Sequence, residues 1–516
     1  MRDKPLMWRE FMMESGATVD HDGIFGLIPI LMVPARHPAF GAESIMRFSL
    51  RVSLLVAAAL AVPGVLHAQQ SAPKDLLPPE TQVKQKTIPS QPIDAEEDVV
   101  VSGPMAQPQS VAEAFSEEVV QEIPSLTQPW SVANAQSLAK IIAAIGAEGL
   151  DPADYNLAGL RSAIDAGASE ELDELASQSF AFLVEDLRDG RTPMDARKQW
   201  FVFDPDADRY PTGKLMSDAL ASGDLAGTLA RITPEHPDYA RLKQELAQTP
   251  AANKKRRQII RANMDRWRWL ARDLGSQYLM TNVPEFQLRL TVNDRIMQTY
   301  RTVVGKPGRT ATPQLAEVVE GVIFNPTWTV PQSIVKGEGL GAKVLGNPAW
   351  AQRAGYTATK GENGWVSVVQ QPGPGNSLGL MKLDMPNRHA IFLHDTPSRH
   401  LFGNANRALS HGCIRTERAT ELAITLAILQ GGLTAQEGVD LIKGGEYTKV
   451  GFQKQMPVYI TYFTMAQDID GKLATFPDIY GRDAPVLASL EAPRKPNRSR
   501  VTGEQVIVIE DDLRTS

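Results

Sequence analysis

Ser410-His411-Gly412-Cys413-Ile414-Arg415, read as SHGCIR, holds the only cysteine among 516 residues. One thiol excludes an intrachain disulfide and every cysteine-based zinc knuckle, so stability must come from packing. In an oxidising compartment a lone cysteine is kept only where it is buried or chemically needed. Four of the eight histidines, His389, His394, His400 and His411, fall between position 389 and the residue pair before Cys413. Three readings compete: a chance cluster in a loop, a metal site, or a cysteine nucleophile with a histidine base. The spacing lacks the close ligand pairs of a zinc site, and a metal-bound thiolate has no use for Arg415 beside it. The nucleophile reading is favoured, with no metal and no cofactor.

The residues around the thiol sharpen that reading. Gly412 removes side-chain bulk next to the sulfur and lets a substrate carbonyl approach. Beyond it, Ala419, Leu422, Ala423, Leu426 and Ala427 share one face of a helix that Gly431-Gly432 closes. That pattern predicts a sulfur near a helix N-terminus, where free amides and the dipole lower a thiol from ~8.5 toward neutrality. The amides of Gly412 and Cys413 are the candidate oxyanion donors.

Working outward, the chain has the composition of an ordinary globular protein, 43% hydrophobic and 22% charged. Its formal charge of −7 leaves no excess of Lys and Arg for phosphates, which excludes general nucleic-acid binding. From Met46, MRFSLRVSLLVAAALAVPGVLHAQQ shows two arginines, an apolar core and a Pro-Gly break before Ala68. This is the layout of a secretory signal peptide, and its apolar run is shorter than the ~20 residues of a spanning helix. Residues 46–68 are therefore read as a signal, and 1–45 as upstream sequence joined by a misassigned start. The chain is expected to be exported to the periplasm or cell envelope, tethered to the membrane if the signal stays uncleaved. Residues 69–125 read as a Pro-, Gln- and Ser-rich disordered linker, and 484–516 as a disordered tail.

Between these, 126–275 is helical in character. Leu172, Leu175, Ala176, Ser179, Leu183 and Leu187 recur at helical spacing, and EGLDPADY (148–155) ends one helix at Gly149 and starts another at Asp151-Pro152. His236 stands alone, as a surface or core histidine. Trp267 and Trp269 in RANMDRWRWL are expected to pack between domains. Strands then begin: Phe286, Leu288, Leu290 and Val292 alternate with polar residues, and Asn293-Asp294 turns a hairpin into Arg295–Val304. Further strands are expected at 318–324, 390–393 and 458–463.

With HDTP at 394–397 nineteen residues ahead of SHGCIR, the sequence resembles the YkuD-type L,D-transpeptidases of bacterial cell-wall synthesis. NPTWTVPQSI (325–334), QQPGPGNSLGLMKLDMPN (370–387) and AIFLHDTPSRHLF (390–402) are similar to the large, YcbB-like branch, as are GLDPADY and ANMDRWRWL of its helical scaffold. The resemblance implies an α+β chain: a helical scaffold domain plus a mostly β catalytic domain over 276–483, with a cap subdomain inserted at about 332–369. It implies Cys413 as nucleophile and His394 as base, oriented by a nearby carbonyl or carboxyl group. Arg415, His411, Gly412, Ser410, Trp328, Asn376 and Gly379 are its implied substrate-binding residues. Lys382, Arg388 and Arg399 add positive charge. Peptidoglycan stem peptides are the implied partners, joined in 3→3 cross-links through a thioester, and carbapenems are expected to acylate Cys413. Water, a free D-amino acid or an envelope protein are alternative acceptors, and a non-catalytic wall-binding scaffold is the reading from another class. One departure is that HPDYARLKQELAQ runs almost directly into RRQIIRANMDRW, leaving no room for the branch's peptidoglycan-binding module.

Overall fold

The computed structural model describes residues 126–506, except 203, 294 and 363, together with a two-residue ladder of Thr18–Val19 on Phe25–Gly26. The signal-like segment 46–68, the linker 69–125 and the rest of the upstream stretch lie outside the described residues. Among those described, no helix is long and apolar enough to cross a membrane.

Capping chemistry sets the helical half. Ser131 accepts from the Asn134 N–H to start α1 (Val132–Ala144), and Gly149 at φ 74 ends the turn that follows it. Asp151 accepts from the Ala153 N–H and Pro152 opens the next turn. After α2 (Leu157–Ala166) comes α3 (Glu170–Asp189), capped by Ser169 and closed by Gly190. Its Leu172, Ala176, Leu183 and Leu187 are buried against α1 and, further along the chain, α4 (Thr212–Ser222) and α5 (Leu225–Ala230). Residues 249–253 alone join α6 (Pro237–Gln248) to α7 (Lys254–Trp267), so no module separates them.

The α+β organisation is completed by a sheet that closes on itself. The strands are β1 (Gln277–Asn282), β2 (Gln287–Val292), β3 (Arg295–Gly305) and β4 (Leu315–Phe324), then cap strands β5 (Trp328–Thr329), β6 (Tyr356–Lys360) and β7 (Val366–Gln370). They continue as β8 (Met381–Asp384), β9 (Leu393–His394), β10 (Ala408–Ser410), β11 (Ile414–Thr416) and β12 (Thr448–Thr461). Neighbours run β10-β3-β11-β9-β8-β4-β12-β1-β2, and β2 pairs again with β3. Val292 faces Arg295, so the β2–β3 hairpin turns on two residues, Asn293 taking φ 49. Helix α10 (Ala419–Gly431) lays Leu422, Ala423, Leu426 and Ala427 on this core, and Gly432 caps it at φ 72.

The cap stretch has its own three-stranded sheet and helices α8 (Leu340–Gly346) and α9 (Pro348–Arg353), with a separate apolar cluster of Val330, Val335, Val344, Ala351 and Val368. One expectation about the layout is corrected. The tail is not disordered through residue 506. Helix α11 (Asp483–Glu491) buries Val486 and Leu490, and Arg494 and Arg498 reach Asp186, which is wholly buried on α3. A composition rich in Pro and Arg looks unstructured, but here the arginines supply the counter-charge that a buried carboxylate needs. As expected, Trp267 and Trp269 are buried where the helical and β halves meet: Trp267 stacks on Phe463 and His236, and Trp269 meets Trp200 edge-on. His236 is thereby a packing histidine.

Candidate active site

Strand register assembles the site. Parallel pairing places Leu393 beside Ile414 and His394 beside Arg415, and the Ile414 N–H donates to the Phe392 carbonyl at 2.9 Å. Leu393 and Ile414 are fully buried in the core. Side chains alternate across a strand, so His394, Arg415 and, two residues back from Arg415, Cys413 occupy the opposite face. On the other side of β9, Lys382 is the antiparallel partner of His394, and its Nζ lies 3.5 Å from the centre of the Phe392 ring. A cation, an imidazole and a guanidinium thus form one row across three strands, with the thiol diagonal to the imidazole.

His394 is held in one tautomer. It is buried, and its Nδ1 sits 2.5 Å from the Asp395 carbonyl oxygen, to which it must donate. The Leu378 backbone carbonyl lies within reach of the ring as well; with Nδ1 donating to Asp395, Nε2 carries the lone pair, the arrangement a general base needs. Burial first, then Arg415, pushes its pKa down to about 3, so the imidazole is neutral at rest. The orienting group is the backbone carbonyl of Asp395. Its carboxylate instead accepts from the Leu380 N–H at 2.9 Å and meets Arg399 at 3.4 Å.

The thiol departs from expectation. A strand, not a helix, follows Cys413, and α10 begins only at Ala419, too far for its dipole to reach the sulfur. Burial pushes the Cys413 thiol up, while the Phe392 backbone N–H, Lys382 and Arg415 pull it back. The resting pair is therefore a thiol, 3.6 Å from the Ala390 carbonyl oxygen, beside a neutral imidazole. Of the two candidate oxyanion donors, the Gly412 N–H is already bound by Ser410 Oγ at 3.2 Å. The Cys413 N–H meets no protein acceptor among the described residues.

The remaining sequence candidates separate into two groups. Ser410 closes the turn at Cys413: its hydroxyl also donates to the Cys413 carbonyl at 2.6 Å. Gly412 takes φ 115, a conformation that only glycine adopts without strain. His411 is half-buried beside them. Asn376 is buried. Its Nδ2 lies within 3.3 Å of the Pro326, Gln370 and Gln371 carbonyl oxygens, and its Oδ1 accepts from the Leu378 N–H. Gly379, at φ 65, lies against the Asp395 carboxylate. Trp328 is half-buried on β5 and packs against the cap cluster. Of the other histidines, His389 is buried against Phe201 and His400 is exposed. Among the described residues no three His, Cys, Asp or Glu side chains converge to hold a metal.

Sequence reasoning gave Lys382 only a general share of positive charge, and it named Asp395 only as a letter of HDTP. For Lys382 the signal was available: it is the one charge between the apolar Met381 and Leu383, so period-2 patterning sets it on the face opposite the core.

Residues 276–460 match the family model of the L,D-transpeptidase catalytic domain, YkuD, and residues 128–246 match that of a scaffold domain. A Haemophilus influenzae protein named "Putative L,D-transpeptidase" is 29% identical over 220 residues, 40% of this chain and 44% of the relative. The match thus spans less than half of that relative's length. Among solved structures, an L,D-transpeptidase from Mycobacterium smegmatis is 14% identical, covering 36% of this chain and 58% of its own, with a TM-score of 0.19. L,D-transpeptidase 1 of Mycobacterium tuberculosis is 12% identical, covering 36% and 61%, with a TM-score of 0.17.

Proposed function

We propose that the chain, whose residues 276–460 match the L,D-transpeptidase catalytic domain, is a cell-envelope acyltransferase that forms 3→3 peptidoglycan cross-links. The observation that carries this reading is the row of His394 and Arg415 with Cys413 on the same face, the imidazole locked with Nε2 as acceptor. In the first step Cys413 Sγ bonds to the carbonyl carbon of the third stem residue, its proton passes to His394, and the carbonyl electron pair moves onto oxygen. Collapse of that intermediate breaks the bond to the terminal D-Ala, whose amine takes the proton from His394. A side-chain amine of a second stem then attacks the thioester, gives its proton through His394 and returns the thiol. Arg415 and Lys382 offset the negative charge that appears on sulfur and on the stem carboxylate.

The scaffold match over 128–246 supports the large branch of the family, and the separate cap cluster supports a lid over the stem peptide. The experiment is incubation with a disaccharide tetrapeptide, read by intact mass spectrometry. A thioester on the wild-type chain and a 3→3 dimer in the products, both lost in Cys413→Ala, are expected. A thioester that yields only tripeptide, a D-amino-acid exchange product or a protein-linked stem would replace the stem amine by another acceptor. No adduct at all would overturn the reading.

A further inference from the structure

Thr312 belongs to no motif, lies on the connection between β3 and β4, and is fully buried. Its hydroxyl stands between two backbone groups. The Gly305 N–H approaches Oγ1 at 2.9 Å, and Oγ1 lies 2.8 Å from the Gly412 carbonyl oxygen. An N–H only donates and a carbonyl only accepts, so the proton assignment is forced: Thr312 accepts from Gly305 and donates to Gly412. The Gly412 carbonyl and the Cys413 N–H belong to one peptide unit. In a trans peptide they point in opposite directions, and the described chain contains no cis bond. Whatever fixes that carbonyl therefore also fixes the direction of the Cys413 N–H.

We propose that Thr312 is a positioning residue for acyl transfer: by pinning the Gly412 carbonyl it aims the Cys413 N–H at the oxygen of the attacked carbonyl. This rests on the reading of Cys413 as nucleophile. The Gly412 N–H is engaged by Ser410, which leaves the Cys413 N–H as the amide of this turn that can meet a developing oxyanion.

Thr312 is itself braced. Its N–H donates to Tyr480 Oη at 3.2 Å, and that hydroxyl donates to the Gly305 carbonyl at 2.6 Å. The Tyr480 N–H reaches Tyr462 Oη at 2.7 Å, and Tyr462 donates to Asp478 at 2.6 Å. A Cβ on Gly305 would stand 1.9 Å from the Thr310 carbonyl oxygen, so glycine there permits the close approach. Tyr462, Asp478 and Tyr480 all lie beyond residue 460, outside the matched catalytic region.

Two reactions of the same sulfur separate this role from a structural one. Acylation by a carbapenem forms the S–C bond at a carbonyl, opens the lactam and places charge on oxygen. Alkylation by iodoacetamide forms an S–C bond and expels iodide, with no oxyanion. Loss of a whole oxyanion donor costs ~10²–10³ in rate, so Thr312→Val should slow acylation roughly 10- to 100-fold. Alkylation should stay within about twofold of wild type, because nucleophile and base are untouched. Thr312→Ser, which keeps the hydroxyl, should restore acylation. If Thr312→Val does not fold, Tyr480→Phe carries the same test with a smaller, same-signed loss in acylation alone. Unchanged acylation, a parallel fall of both reactions, or no rescue by serine would overturn the assignment. A wild-type chain that alkylates but is acylated by neither carbapenem nor stem peptide would instead overturn the transpeptidase reading itself.

Discussion

A neutral histidine buried beside two cations makes the native state sensitive to acid, and the effect is large enough to measure. Burial and Arg415 hold the His394 imidazole at about 3, against ~6.5 in an unfolded chain. Between those values the unfolded chain binds a proton that the folded one refuses. Stability conferred by neutral His394 is therefore complete above the unfolded value and is lost as pH falls below it. Going from pH 7.5 to 4.5, linkage gives a loss of about 2.7 kcal/mol from this one group. The figure barely depends on the native value, since a native pKa of 4 instead of 3 lowers it by only ~0.1 kcal/mol. His394→Gln removes the titration and keeps a side-chain N–H for the Asp395 carbonyl. Urea unfolding followed by tryptophan fluorescence at both pH values is the assay. With a slope of about 3 kcal/mol/M, wild type should lose ~0.9 M more of its midpoint than the variant. Buried carboxyls such as Asp204, pushed up to about 7 mainly by burial, titrate with the opposite sign but are common to both proteins and cancel. Equal pH dependence in the two proteins would refute a neutral buried imidazole. The same neutrality predicts that activity has no acid limb from His394 between pH 5 and 8.

Asn376→Ala removes side-chain hydrogen bonds to Pro326, Gln370, Gln371 and Leu378, and at ~1 kcal/mol each this should cost about 2–4 kcal/mol in thermal unfolding. A raised KM with unchanged stability would instead make it a substrate contact. Arg494→Ala leaves buried Asp186 with Arg498 and Arg191 as its remaining cations, and should lower stability by about 3 kcal/mol in differential scanning calorimetry. No change there would mean that the C-terminal segment adds nothing to the scaffold. Replacing residues 332–369 by a short linker should leave the main unfolding transition in place, because the cap cluster is separate from the core, and should abolish cross-linking. Loss of cooperative unfolding would make the cap part of that core.

Local chemistry made much of this protein legible from sequence alone. The start at Asp151-Pro152, the stops at Gly149 and Gly432, the Asn293 turn and the apolar face of α10 are rules of neighbours within a few residues. The pairing of HDTP with SHGCIR likewise pointed to Cys413 and His394. What sequence could not supply depended on contacts between distant segments. A six-residue motif reads equally well before a helix or a strand, and only pairing of β11 with β9 and β3 made it a strand and removed the helix dipole from the sulfur. The thiol's resting state followed from desolvation, which is a property of everything packed around it and not of its neighbours in the chain. Arg494 and Arg498 looked like a solvated tail until Asp186, some three hundred residues earlier, gave them a partner. Thr312 carries no sequence signal because its hydroxyl finds its two backbone partners only where β3 and the turn at Cys413 meet. Spacing along the chain determined the helices and the hairpin, and the family resemblance singled out Cys413 and His394. The protonation and aim of that pair were decided by burial and by hydrogen bonds that close only in the folded chain.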